Sequence, residues 1–253
     1  MSSKYRFFIL GASSAVLLSS TVAKADVLFD NMSKFENGDP NANVAVTSST
    51  PNTFMGNAYT LIPGASTITG FDLFPANLTG TTFTGLKLTV YVWGSVNMGT
   101  VNGANPAFGD PLATYTQMSS GTFSSGFYYS FEGSPVGSAP GFVLSTPLSI
   151  PGNTIGLSFN FQGTTDGSTY NSVNSLTSLI TYGVTPSIGN QIFNGYYRNA
   201  NSEANGNFTS SLRSLGQQNQ SLGVRVYGTV PEPATLSLMG LGAAALLAVR
   251  RRR

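Results

Sequence analysis

The sequence predicts a single antiparallel all-β domain, a sandwich or jelly roll, set between two terminal segments that do not belong to its core. Three observations carry this. Apolar residues recur with a period of two and not 3.6, clusters of Gly, Pro, Asn and Ser separate the alternating stretches, and no fixed-period repeat or composition shift divides the chain. The 253 residues include 29 Gly and 13 Pro, with neither Cys nor His. The chain is long enough to bury one sizeable core, and that core must hold the domain without disulfides.

The domain is expected over residues 26–229. Its clearest strands are Leu86 to Trp93, Ile155 to Gln162 and Leu222 to Tyr227, where every second residue is apolar. Such alternation predicts half-buried strands with one face toward the core. Shorter candidates lie at Val27 to Phe29, Tyr59 to Ile62, Ile68 to Phe74 and Ala113 to Met118, then at Phe127 to Phe131, Phe142 to Leu144 and Leu179 to Tyr182. About ten strands and no helix are expected in this body. The polar stretches Gly163 to Asn174 and Arg198 to Gln220 are expected to be long loops.

Charge is unevenly placed. Residues 26–230 hold five basic side chains (Lys34, Lys87, Arg198, Arg213, Arg225) against nine acidic ones, a net charge of −4. The basic balance of the whole chain comes from its two ends, so it is no argument for nucleic acid, which needs a basic patch on the folded surface. Ser, Thr, Asn and Gln must solvate most of the surface.

The N-terminal end has three parts. Lys4 and Arg6 precede an apolar run from Phe7 to Val22, and Ala23-Lys24-Ala25 follows. Basic region, apolar region and small-x-small site are the parts of a secretory signal peptide, which predicts residues 1–25 removed by signal peptidase after passage through the Sec translocon, with Asp26 as the new N-terminus. The C-terminal end, residues 230–253, has Pro231-Glu232-Pro233, then 16 mostly apolar residues from Ala234 to Val249, then Arg250, Arg251, Arg252 and Arg253. As a helix the apolar run is about 24 Å long at ~1.5 Å per residue, a short span whose arginines act as a stop-transfer on the cytoplasmic side. The prolines keep the motif before it extended.

Val230-Pro231-Glu232-Pro233, a short Gly/Ala/Leu helix and a terminal arginine cluster together resemble the PEP-CTERM sorting signal of exopolysaccharide-producing Gram-negative bacteria. The resemblance implies a membrane protease, exosortase, that cuts at or near the motif. It also implies transient anchoring in the inner membrane before transfer to the cell surface or extracellular matrix. Within the tail, Gly240-Leu241-Gly242-Ala243-Ala244-Ala245 fits a dinucleotide fingerprint, but no strand precedes it.

The body offers little recognisable chemistry. No His or Cys is available as base, nucleophile or zinc ligand, and no P-loop, G-x-S-x-G or H-E-x-x-H pattern occurs. No cofactor is called for. A glycoside hydrolase would use two carboxyl groups from Glu36, Asp72, Asp110, Glu132, Asp166 and Glu203, yet nothing in their spacing pairs them. Asp110 and Asp166 stand before Pro111 and Gly167, at ordinary turn positions. Asp39-Pro40-Asn41-Ala42-Asn43 begins like a calcium loop but lacks its Gly and its bidentate Glu; Asp30, Asn31 and Asp39 are left as possible oxygen ligands or loop solvators. Pleating puts Tyr91 and Trp93 opposite the aliphatic face of their strand, and Tyr227 takes the outer register of its own. These rings are either stacking platforms for a glycan or a satellite core under a covering layer. The leading expectation is a structural surface or matrix protein, associated with exopolysaccharide or with copies of itself, and not an enzyme; a carbohydrate-binding module is the alternative.

Overall fold

A computed structural model describes residues 26–231 apart from 39–42, 46–53, 95, 98–106, 109–110, 174, 183–184, 192–194, 200–212 and 217–219. The first part of the chain forms β1 (Asp26–Asp30), a one-turn helix α1 (Ser33–Glu36), β2 (Asn43–Ala45), β3 (Phe54–Thr60), β4 (Thr67–Leu73) and β5 (Pro75–Asn77). The middle contributes β6 (Phe83–Trp93), β7 (Val96–Asn97), β8 (Ala107–Phe108), β9 (Ala113–Phe123), β10 (Phe127–Tyr128), β11 (Phe142–Ser149) and β12 (Thr154–Thr164). The last part adds β13 (Asn171–Ser172), β14 (Leu176–Ser178), β15 (Ile180–Tyr182), β16 (Asn190–Gln191), β17 (Gly195–Asn199), β18 (Arg213–Gly216), β19 (Gln220–Leu222) and β20 (Val224–Thr229).

Two antiparallel sheets share one core. The first runs β1-β20-β4-β11 and the second β18-β17-β3-β12-β6-β9. The aliphatic positions of β6 (Leu86, Leu88, Val90, Val92) and of β12 (Ile155, Leu157, Phe159, Phe161) pack against Leu28, Phe71, Phe142, Val224 and Val226 of the facing sheet. Phe29 of β1 meets Tyr59 of β3 across this space with ring centroids 4.6 Å apart. The expected all-β antiparallel class is what the chain adopts.

Several expectations need correction. The strands number twenty among the described residues, because segments of two or three residues show no period. A helical turn, α1, forms because Asp30 Oδ1 accepts from the backbone N–H groups of Met32 (2.8 Å) and Ser33 (3.0 Å), which supplies partners for donors that a helix start leaves unpaired. The two expected long loops contain strand: β12 extends to Thr164 and pairs with β13, while β17, β18 and β19 fall in or overlap 198–220. Strands β6, β12 and β20 are not half-buried; toward their central parts both faces are out of solvent. Their outer positions are polar yet bonded sideways, as Thr89 is to Thr116 and Trp93 to Ser158. Among the described residues no helix is long and apolar enough to cross a membrane; the helix expected at 234–249 lies outside them, as do residues 1–25.

The terminal strands of the domain are neighbours. Strand β20 lies between β1 and β4, with Asp26 opposite Gly228 and Thr229 opposite Thr67. Gly228 has no room for a side chain: a Cβ there would lie 1.9 Å from the Thr67 carbonyl oxygen and 2.5 Å from Leu28. Gly228→Ala must therefore push β20 off both neighbours, and we expect a loss of roughly 2–3 kcal/mol, read as a melting temperature lower by about 5–10 °C in calorimetry. An unchanged melting temperature would show that the ladder does not close here.

Candidate functional site, a buried arginine among four carboxyl groups

Arg225 sits midway along β20 on the face turned away from the shared core, since Val224 and Val226 point into it. Its opposite residues in the ladder are Asp30 of β1 on one side and Asp72 of β4 on the other. Register alone thus lines up a guanidinium between two carboxylates, at the short separation of directly opposed strand residues. Two further groups arrive from the layer above: Glu36 from α1, and Glu132 from the segment that bridges Leu73 to Phe131.

The fork geometry of arginine uses all of them. Nη1 lies 2.6 Å from Asp72 Oδ2 and 2.9 Å from Glu132 Oε1, and Nη2 lies 2.5 Å from Glu36 Oε2. Nε is 3.3 Å from Asp30 Oδ2, an ionic contact without a hydrogen bond. Tyr227, two residues along the same face, donates its hydroxyl to Asp72 Oδ2 at 2.6 Å, and the Gly141 N–H donates to Asp72 Oδ1 at 2.8 Å. Ser33 donates to Asp30 Oδ2. The Arg225 side chain is 1 % exposed.

Four carboxyl groups against one guanidinium leave an excess of negative charge, and protons reduce it. Burial, and then a hydrogen bond to Glu132, push the Glu36 carboxyl up to about 7 despite the opposing pull of Arg225. Burial likewise raises Asp72, with Tyr227, Gly141 and Arg225 pulling the other way. Burial opposes the charge on Arg225, but Asp30, Asp72, Glu36 and Glu132 outweigh it and hold the guanidinium protonated. The phenol of Tyr227 is raised by burial and by Asp72. Glu36 and Glu132 are the members nearest water, standing between a cleft of about 400 Å³ beside Phe35 and Tyr128 and another of about 520 Å³ beside Asp30 and Asn37.

Three of the carboxylates considered from the sequence, Glu36, Asp72 and Glu132, are therefore brought together. Spacing could not show this, since the partners of Arg225 lie up to 195 positions away from it. The available signal was a lone arginine on the polar side of a strand, in a body with few cations. Glu36 and Glu132 both converge on the guanidinium, Glu36 on Nη2 and Glu132 on Nη1. Asp166 stands apart and exposed, accepting from Thr169 N, Ser168 N and the Thr164 hydroxyl, which hold its carboxyl below the usual carboxylate range. Asp110 and Glu203 lie outside the described residues.

The proposed glycan platform is overturned. Trp93 and Tyr227 have no solvent-exposed surface and Tyr91 is 8 % exposed. Trp93 donates from Nε1 to Ser158 Oγ at 2.8 Å and stacks on Tyr91, and Tyr227 is committed to Asp72, so the rings offer no free face to a sugar. Asp30 and Asn31 are likewise committed: Asn31 accepts from Val224 N (2.9 Å) and donates to the Leu222 carbonyl (2.8 Å), bridging the break between β19 and β20. Asp39 lies outside the described residues.

The described sites define an all-β domain, closed by its own terminal strands, that runs directly into a C-terminal sorting signal. Residues 229–253 match the family model of the PEP-CTERM protein-sorting motif. The chain is thus an exosortase substrate, with exosortase as its processing partner and the surface or extracellular space as its destination. The match covers the tail alone, and no curated protein and no solved structure matches the chain. Of the sorting residues, Pro231 is described and exposed; Glu232, Pro233 and the four arginines lie outside the described residues, as do Ala23 and Ala25, while Asp26 opens β1.

The sign of the Glu36 effect is fixed by its direction. Its folded value near 7 exceeds the unfolded 4.5, so its stabilising proton is fully present below about pH 4.5 and is lost as pH rises through 7. Glu36→Gln keeps a neutral partner for Arg225 at every pH. We expect denaturant unfolding to show the native protein losing roughly 2 kcal/mol between pH 5 and pH 8 relative to the variant. Parallel pH profiles would show that Glu36 takes up no proton on folding.

Proposed function

We propose that the protein is a structural component of the cell surface or extracellular matrix, delivered there as a preformed β-domain and associated with exopolysaccharide. The reading rests on one observation: β1 begins at Asp26, β20 ends at Thr229, and the two are paired antiparallel, with Asp26 opposite Gly228. The expected signal-peptide junction and the sorting motif consequently leave the domain side by side at one end of one sheet. Only Val230 and Pro231 separate the last ladder residue from Glu232.

On this account the Sec translocon exports the chain, signal peptidase cuts before Asp26, and residues 234–249 hold the domain at the inner membrane until exosortase cuts near Pro231-Glu232-Pro233. A domain with a short tether releases cleanly, because the cut removes nothing that the core needs. The polar outer surface and low charge of the body suit contact with hydrated polysaccharide through many weak hydrogen bonds.

Intact mass measurement on protein from the surface fraction of native cells tests this directly. The expected product starts at Asp26 and ends close to Pro233. Cytosolic protein retaining both Met1 and Arg253 would overturn the reading.

A further inference from the structure

Every edge strand of a sheet presents unpaired N–H and C=O groups, and folded proteins guard such edges with charge, proline, bulges or brevity. Three of the four edges of the two main sheets are guarded in this way. Strand β1 carries Asp26 and Asp30 and is capped by a bridge from Asp30 to Ile188. Strand β11 contains Pro147 and its register to β4 breaks between Val143 and Leu148. Strand β18 is guarded by brevity, being four residues long.

Strand β9 has none of these devices over most of its length. It runs for 11 residues, Ala113-Thr114-Tyr115-Thr116-Gln117-Met118-Ser119-Ser120-Gly121-Thr122-Phe123, without a charge or a proline. From Ala113 to Ser120 it pairs with β6 in unbroken register, Val92 opposite Ala113 through Gly85 opposite Ser120, so no bulge interrupts it where it is most open. Its residues are exposed or half-buried down to Thr122, and Met118 is 61 % exposed. Among the described residues its outer edge has no backbone partner; β11 of the facing sheet approaches it, with Tyr115 Oη donating to the Thr146 carbonyl at 3.5 Å.

We infer that β9 is a self-association edge, pairing antiparallel with β9 of a second copy about a two-fold axis close to Thr116. The backbone groups demand an extended strand, and the second copy is the partner that the sequence favours. An uncharged edge meets its own image without repulsion, and a two-fold axis perpendicular to the sheet sets Thr116 against Thr116, Tyr115 against Gln117 and Thr114 against Met118. The second sheet then continues from one molecule into the next. This rests on the surface-component reading and gives it a partner.

The test is sedimentation velocity of the processed protein from native cells, from about 1 μM to about 1 mM, the span in which weak dimers form. The native protein is expected to pass from monomer to dimer. Thr116→Lys, which sets two ammonium groups face to face, should shift the midpoint at least tenfold or abolish the dimer. Thr116→Val, which loses the hydroxyl bond to Thr89 but adds no charge, should still dimerise. Met118→Glu guards against misfolding of the lysine variant: it faces Lys87 across its own sheet, so it should fold while still weakening the dimer. A native protein that stays monomeric throughout, or a dimer that both charged variants leave intact, overturns the inference. Either result leaves surface delivery untouched, which the mass measurement decides separately.

Discussion

The fold depends on one guanidinium. Arg225 is out of water on the middle strand of a four-stranded sheet, and burying an unpaired charge there would cost several kcal/mol. The cost is offset only if β1 brings Asp30 to one side and β4 brings Asp72 to the other, which fixes the register of three strands at once. A slip of one residue would turn Arg225 into the apolar core and Val224 out of it. The same group then fastens the upper layer, since Glu36 of α1 and Glu132 of the 131–141 segment bind the two Nη atoms that face them. Such a hub makes the arrangement specific more than it makes it stable: three surplus carboxyl groups repel one another, and a proton shared near Glu36 relieves part of that strain.

This constraint bears on delivery. The hub joins the first strand of the domain to the last, and the sorting motif follows directly on the last strand. Completing the sheet needs β20, which is the last part of the body to be made, so Arg225 and the sorting motif become available at almost the same moment. A protein with no cysteine gains no covalent lock outside the cell; here an ionic lock closes the same strand pair.

Polarity alternation located the clearest strands correctly, and for a physical reason that differs from the one expected. In β6 and β12 the second face is polar, yet it is buried and satisfied by lateral bonds: Trp93 to Ser158 across β6 and β12, Thr89 to Thr116 across β6 and β9. A period of two therefore recorded which face could hydrogen-bond, not which face met water, and this is why Tyr91, Trp93 and Tyr227 looked like surface platforms. The Arg225 hub was half legible. Val224-Arg225-Val226-Tyr227 placed the arginine and tyrosine on one face, but the adjacency of β1, β20 and β4 joins residues some 150 to 195 positions apart, which no local pattern encodes. Short elements such as β5 and β14 were invisible because three residues cannot display a period. The sorting tail, by contrast, was legible residue by residue, because a segment read by a processing enzyme carries its message in linear order.

The most direct test of the central claim is a double-mutant cycle between Arg225 and Asp72, using Arg225→Met, Asp72→Asn and the pair, with stability read by urea unfolding. A buried, hydrogen-bonded charge pair predicts that Arg225→Met, which strips four carboxyl groups of their cation, costs about 3–5 kcal/mol, that Asp72→Asn costs less because Asp30, Glu36 and Glu132 still hold the guanidinium, and that the two changes are coupled by about 1–2 kcal/mol. Additive losses, with coupling below about 0.5 kcal/mol, would show that Arg225 does not hold β20 against β4.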